Sequence, residues 1–98
     1  MSSNFDISES TLRAQAETAQ AAGFTQLGEN LRRAAELTAV PNEDLLKMYE
    51  LLRPGRSTQA ELLAIAERLE REFAAPETAA FVREAAAVYA ERGLFRKT

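Results

Sequence analysis

The chain has 98 residues, a formal net charge of −3, and neither cysteine nor histidine. This inventory excludes disulfides, thiolate nucleophiles, Cys/His zinc sites and every catalytic triad whose base is an imidazole. The twelve basic residues are scattered among fifteen acidic ones, which disfavours nucleic-acid binding because that needs concentrated positive charge. No apolar run reaches the roughly 20 residues that cross a bilayer, and the start lacks a signal-peptide pattern. We therefore expect a soluble cytoplasmic protein without nucleic-acid or membrane partners.

Apolar residues at helical spacing predict a first helix over residues 9–22 and a second over residues 26–39. Ser8 or Ser10 can cap the first helix, and Thr25 can cap the second. The apolar stripes that should face the core are Leu12, Ala16 and Ala19 in the first helix, and Leu27, Leu31, Ala34, Ala35 and Thr38 in the second.

A third helix is predicted over residues 43–52, after a break at Pro41 and with Asn42 as its cap. It is short but rich in large apolar side chains, namely Leu45, Leu46, Met48, Tyr49, Leu51 and Leu52. So wide a stripe indicates contacts on more than one side of the helix.

The stretch LLRPGRST, residues 51–58, then interrupts the helical pattern, and we call it the corner. Thr58 and Glu61 match a T-x-x-E capping box, which predicts a fourth helix over residues 59–73. Ser57 is an alternative cap for this helix. The stripe of the fourth helix is the clearest in the chain and consists of Leu62, Ile65, Ala66, Leu69 and Phe73.

Pro76 suits a first helical position and Gly93 a helix end, so a fifth helix is predicted over residues 76–92. No stretch alternates with period two, and no sheet is expected. The sequence thus predicts an all-α fold, a small bundle of about five short helices in a single domain spanning residues 1–98. Large apolar residues also stand in the terminal segments, and we expect these to be docked: Phe5, Ile7, Leu94 and Phe95.

Few residues offer chemistry. Arg53 and Arg56 flank Pro54-Gly55 beside a helix start, where an anion is favoured, but the corner lacks the P-loop pattern. An ordinary turn with a helix cap, an inter-subunit contact and a small-anion site all remain open for it. Arginines such as Arg32 and Arg33 most commonly lie on a solvated helix face. The same holds for paired carboxylates such as Glu43-Asp44 and Glu67 with Glu70. Buried rings are the usual role of tyrosines on apolar stripes, such as Tyr49 and Tyr89.

Three runs, in order and covering about residues 7–94, resemble one family. They are NLRRAAELTAVPNE (residues 30–43), YELLRPGRSTQAELLAIAERLE (residues 49–70) and AAFVREAAAVYAERGL (residues 79–94). The chain is similar in these runs to the small, or gamma, subunit of adenosylcobalamin-dependent diol and glycerol dehydratases. Gly55 departs from the pattern, because relatives often have an aromatic residue there.

The resemblance implies a helical, non-catalytic chain packed on a large subunit within an α₂β₂γ₂ assembly that also contains a medium subunit. Such an assembly dehydrates propanediol, glycerol or ethanediol to an aldehyde, with adenosylcobalamin held by the other subunits. No catalytic, cofactor-binding or metal-binding residue is implied for this chain. Many relatives carry several tens of residues before the helical body, so this chain is expected to lack their N-terminal extension, and association with a microcompartment is left open.

We therefore expect the polar and amphipathic contacts with the large subunit to come from a set of five residues: Arg32, Arg33, Tyr49, Arg53 and Arg56. A stand-alone helical adaptor or a small homo-oligomer is the alternative. The two hypotheses differ in the partners that they require, since only a dehydratase small subunit must associate with other dehydratase chains.

Overall fold

The computed structural model describes residues 8–97, and within that range the prediction of an all-α fold is confirmed. Its described part contains no strand and five helices, each of whose ends lies within two residues of the predicted one. Tertiary contacts divide the chain after Ala39 into an N-terminal and a C-terminal unit, and the prediction of a single domain stays a prediction. The helices are α1 (Glu9–Ala21), α2 (Thr25–Leu37), α3 (Asn42–Leu51), α4 (Gln59–Glu72) and α5 (Pro76–Arg92).

The N-terminal unit is a helical hairpin formed by α1 and α2. Ser8 caps α1 by accepting a hydrogen bond from the Thr11 N–H, as predicted. Gly23 adopts a φ of 88°, which lets the chain reverse while the Phe24 N–H donates to the Ala19 carbonyl at 2.8 Å. The predicted stripe of α1 is confirmed, because Leu12, Ala16 and Ala19 are all buried.

The α2 helix departs from the prediction at its start and on its apolar face. Phe24 holds the cap position without a side-chain hydrogen bond, so the prediction that Thr25 caps the helix was wrong. Leu27 is 50% exposed, whereas Gly28 is buried. A Cβ at position 28 would come within 3.3 Å of the Ala16 carbonyl oxygen in α1. The glycine therefore permits the close approach of the two helices.

The C-terminal unit packs α3, α4 and α5 around one core. Leu62, Leu69 and Val82 are fully buried, and alanines at positions 79 and 86 let α5 lie close to α4. The predicted α4 stripe is confirmed up to Leu69, while Phe73 is half-buried at the C-cap. The α3 helix begins at Asn42 with Pro41 as its cap residue, so the prediction of an Asn42 cap was wrong.

The predicted capping box at the start of α4 is confirmed. The Thr58 hydroxyl accepts from the Glu61 N–H at 3.2 Å, and the Thr58 N–H donates to the Glu61 carboxylate at 2.9 Å. This backbone donor, helped by the nearby Arg96 guanidinium, holds the pKa of Glu61 below its usual value. Two ion pairs at four-residue spacing form on the exposed side of α4, with Arg68 at 2.6 Å from Glu72 and Arg71 at 3.2 Å from Glu67.

Between α4 and α5 the chain turns through Ala74, which has a φ of 50°. A Cβ is disfavoured in this left-handed region, and glycine removes that strain at the cost of extra freedom in the unfolded chain. We therefore expect Ala74→Gly to raise the free energy of unfolding by about 0.5–1 kcal/mol in urea denaturation. Ala80→Gly, an exposed change inside α5, should instead lower it by about 1 kcal/mol. A loss of stability in both variants would contradict the strain at position 74.

The predicted end of α5 is confirmed, because Gly93 adopts a φ of 68° at the C-cap. Beyond it, Leu94 and Phe95 are half-buried, and the Phe95 ring meets the Tyr89 ring edge-on at 5.9 Å between centroids. The C-terminal apolar residues are thus docked within the chain, whereas Phe5 and Ile7 lie outside the described residues. No helix among residues 8–97 has the length and apolar character needed to cross a membrane.

Candidate functional site

The corner is a tight connection between α3 and α4. The Arg56 N–H donates to the Arg53 carbonyl at 3.1 Å, and Gly55 adopts a φ of 80°. Ser57 does not cap α4: its side chain is buried, and its hydroxyl donates to the Leu51 carbonyl at 2.8 Å. This buried hydrogen bond satisfies the last turn of α3 at the point where the helix stops. Together with the capping box, it gives the backbone of the corner the geometry of a turn followed by a helix cap.

The side chains of Arg53 and Arg56 converge on one carboxylate. Glu50 lies 3.3 Å from the Arg53 guanidinium and 3.8 Å from that of Arg56. All three side chains are more than half exposed, so these ion pairs contribute little to stability and can be exchanged for contacts with another molecule. Glu50 was not predicted, although a spacing of three residues from Arg53 at a helix end is a known signal for such a pair.

Two large side chains of α3, a leucine and a tyrosine, are exposed. Leu46 is 70% exposed and Tyr49 is 54% exposed, so the expectation that the Tyr49 ring is buried was wrong. The reason is that Met48 and Leu51 occupy the inward face of this short helix. Tyr89, by contrast, is half-buried and donates its hydroxyl proton to the Leu52 carbonyl, as a tyrosine on an apolar stripe should.

The two arginines of α2 belong to the N-terminal unit. Arg32 and Arg33 are both half-buried, so they do not lie on a fully solvated helix face as their commonest role would require. Arg33 donates to the side-chain oxygen of Asn30. Of the five predicted contact residues, the structure therefore brings Arg53 and Arg56 together at one carboxylate and places Tyr49 beside that carboxylate in the sequence.

A second apolar surface, an open groove on the N-terminal hairpin, was not predicted. Phe24 is 63% exposed there, and Leu27 and Leu31 continue the groove along α2. These leucines were predicted to lie in the core. The α2 helix instead buries Gly28, Ala35 and Glu36, and the close approach of α1 at Gly28 leaves no room there for a larger side chain.

Three of the paired carboxylates named from the sequence form ion pairs with arginines. Asp44 lies 3.1 Å from the Arg68 guanidinium, and Glu70 lies 2.6 Å from that of Arg83. Glu67 pairs with Arg71 as described above. Across residues 8–97 no three acidic side chains converge in a way that could hold a metal ion.

A family match over nearly the whole chain defines the class of this protein. Residues 1–96 match the family model described as "Dehydratase small subunit", and the chain belongs to that family, which confirms the family predicted from the sequence.

Two relatives narrow the class. The chain is 57% identical over 86 residues to a propanediol dehydratase small subunit of Citrobacter freundii, and 56% identical over 86 residues to one of Salmonella typhimurium (strain LT2). Each alignment covers 88% of this chain and 50% of the relative. The chain thus spans about half the length of the curated relatives it matches.

Proposed function

We propose that this chain is the non-catalytic small subunit of an adenosylcobalamin-dependent diol or glycerol dehydratase. In this proposal it packs on the large catalytic subunit of a cytoplasmic assembly that converts propanediol, glycerol or ethanediol to an aldehyde and water. The observation that carries the proposal is the identity of 56–57% with two propanediol dehydratase small subunits. The partners are the large and medium subunits, with two copies of each of the three chains.

Two observations support the assignment of the coenzyme to the other subunits. The sequence contains no histidine, so this chain offers no imidazole to ligate cobalt, and Asp44, Glu67 and Glu70 pair with arginines. We therefore assign the coenzyme and every step of the dehydration to the other subunits. The role of this chain is to bind and support the large subunit.

The contact surface that we propose on the C-terminal unit combines Leu46 and Tyr49 with the two arginines of the corner. An exposed leucine and tyrosine beside arginines is the composition that protein interfaces favour, since these side chains bury large areas and arginines bind carboxylates in two-pronged fashion. The partner face that fits it is apolar at its centre and carries at least one carboxylate. Arg32 and Arg33 remain proposed contacts on the N-terminal unit.

The arginines give the most direct mutational test. We expect Arg53→Ala with Arg56→Ala to weaken binding to the large subunit by roughly tenfold or more, because two charge-assisted contacts are lost. Helix content by circular dichroism should not change, since both side chains are exposed. The measurement is the dissociation constant for the co-expressed large and medium subunits. Arg13→Ala with Arg71→Ala is the matched control, because these arginines are likewise exposed and paired with exposed glutamates, Glu9 and Glu67.

Affinity purification of the chain from its native cell tests the function itself. Large and medium dehydratase chains should be recovered in stoichiometric amounts, and omission of this chain should lower the yield or stability of the assembled dehydratase. Recovery of other partners with no dehydratase chain would favour the alternative of a stand-alone adaptor. Binding of the large subunit that is identical for the double variant and the wild type would remove the corner from the interface.

A further inference from the structure

The C-terminal segment, residues 94–96, pairs with the corner through its backbone. The Gly55 N–H donates to the Leu94 carbonyl at 2.8 Å, and the Arg96 N–H donates to the Ser57 carbonyl at 2.7 Å. The Arg96 guanidinium adds a bond of 3.4 Å to the Arg56 carbonyl. The corner is therefore held by a part of the chain that is distant in sequence.

Three further contacts hold this segment in place. Gly93 reverses the chain, and the Leu94 N–H donates back to the Tyr89 carbonyl at 2.9 Å. Phe95 packs on the Tyr89 ring, whose hydroxyl donates to the Leu52 carbonyl in the corner. Arg96 also lies 3.0 Å from Glu61, the carboxylate of the capping box. Both ends of the segment are thus fixed by contacts within the C-terminal unit.

These contacts use main-chain groups of the corner and leave its two arginine side chains more than half exposed. A loop whose backbone is fixed loses less conformational freedom when its side chains dock on a partner, and so binds more tightly than a mobile loop with the same side chains. Gly55 requires this support most, because glycine has more backbone freedom than any other residue type.

We infer that residues 94–96 are a positioning segment that fixes the corner so that Arg53 and Arg56 meet the large subunit in one arrangement. The segment acts through the arginines and does not itself bind the partner. This inference rests on the proposed function, because it deepens the contact proposed there.

Truncation after Gly93 tests the inference, with truncation after Arg96 as the matched control that keeps every contact described above. The amide of Gly55 should exchange with deuterium faster in the shorter chain, while the amides of α4 remain protected. Binding to the co-expressed large and medium subunits should weaken about tenfold, since the backbone of the corner must then also be ordered on docking. Phe95→Ala with Arg96→Ala is a second variant, which serves if the shorter chain does not fold.

A double-mutant cycle separates positioning from direct contact. In the background of Arg53→Ala with Arg56→Ala, truncation after Gly93 should weaken binding by less than about twofold, because the segment acts through side chains already removed. A full tenfold further loss would overturn the inference, as would wild-type affinity in the truncated chain. If the arginine variant alone binds as tightly as the wild type, the proposed interface fails. If only the truncations leave binding unchanged, the positioning role fails and the interface stands.

Discussion

Leu62→Ala is expected to lower the free energy of unfolding of the C-terminal unit by about 2–5 kcal/mol. Leu62 is fully buried in α4, so the change removes apolar contacts and leaves a cavity that close-packed neighbours fill only in part. In a small unit with a marginal total stability, a loss of this size would unfold a large fraction of the molecules. The measurement is equilibrium unfolding in urea, followed by circular dichroism.

Leu63→Ala is the matched control, because it makes the same chemical change one residue further along the same helix. Leu63 is 40% exposed, and its truncation should cost about 1 kcal/mol or less. The difference between the neighbouring variants measures burial alone, as the effect on helix propensity is shared. Equal losses in the two variants would mean that α4 presents a different face to the core.

Gly28→Leu should have the second largest effect, which falls on the N-terminal hairpin. A Cβ at position 28 meets the Ala16 carbonyl oxygen at 3.3 Å and the end of the Gln20 side chain at 2.5 Å. The glutamine can move aside, but the backbone oxygen belongs to α1 and moves only with that helix. We expect a loss of about 1–3 kcal/mol from overpacking, although leucine is a better helix former than glycine.

The same leucine introduced at an exposed site of α2 provides the comparison. Gln26→Leu should be neutral within about 0.5 kcal/mol, because the Gln26 side chain is exposed and donates to the exposed Asn30 of the same helix. Loss of protection in amide hydrogen exchange should be confined to α1 and α2 in the Gly28 variant. A Gly28→Leu chain as stable as the wild type would show that the hairpin can widen without loss.

The sequence predicted where the helices begin and end better than it predicted which of their faces are buried. Helix ends are set by local chemistry, so the Thr58–Glu61 capping box, Pro76 and Gly93 identified them correctly. The same local signals misled at Thr25 and Asn42, because residues of this type are also tolerated one position inside a helix.

Faces were harder to predict where the apolar stripe is wide. In α4 the apolar stripe is narrow, so only one orientation of the helix buries it. The predicted stripe was confirmed up to Leu69. In α3 five of the ten side chains are large and apolar, so the pattern did not distinguish Met48, which is buried, from Tyr49, which is exposed. The exposure of Leu27 followed from the close approach at Gly28, which is a property of two helices together.

The candidate site was predicted only in part. The two arginines were selected from their position beside a helix start, and Glu50 was within reach of simple spacing rules. The pairing of the corner with residues 94–96 was out of reach, because it consists largely of main-chain hydrogen bonds, which any sequence can form. The spacing of side chains in the sequence therefore does not reveal main-chain hydrogen bonds between distant segments.

The pairing of the corner with the C-terminal segment is expected to form late when the C-terminal unit assembles. Arg56 and Arg96 are 40 positions apart, so their contact closes a long loop, and the entropic cost of closing that loop is small only after α4 and α5 have docked. The α4–α5 pair is joined by a short turn and is expected to form first. In the native state the order is reversed: we expect the corner and the segment to open together before α4 and α5 separate.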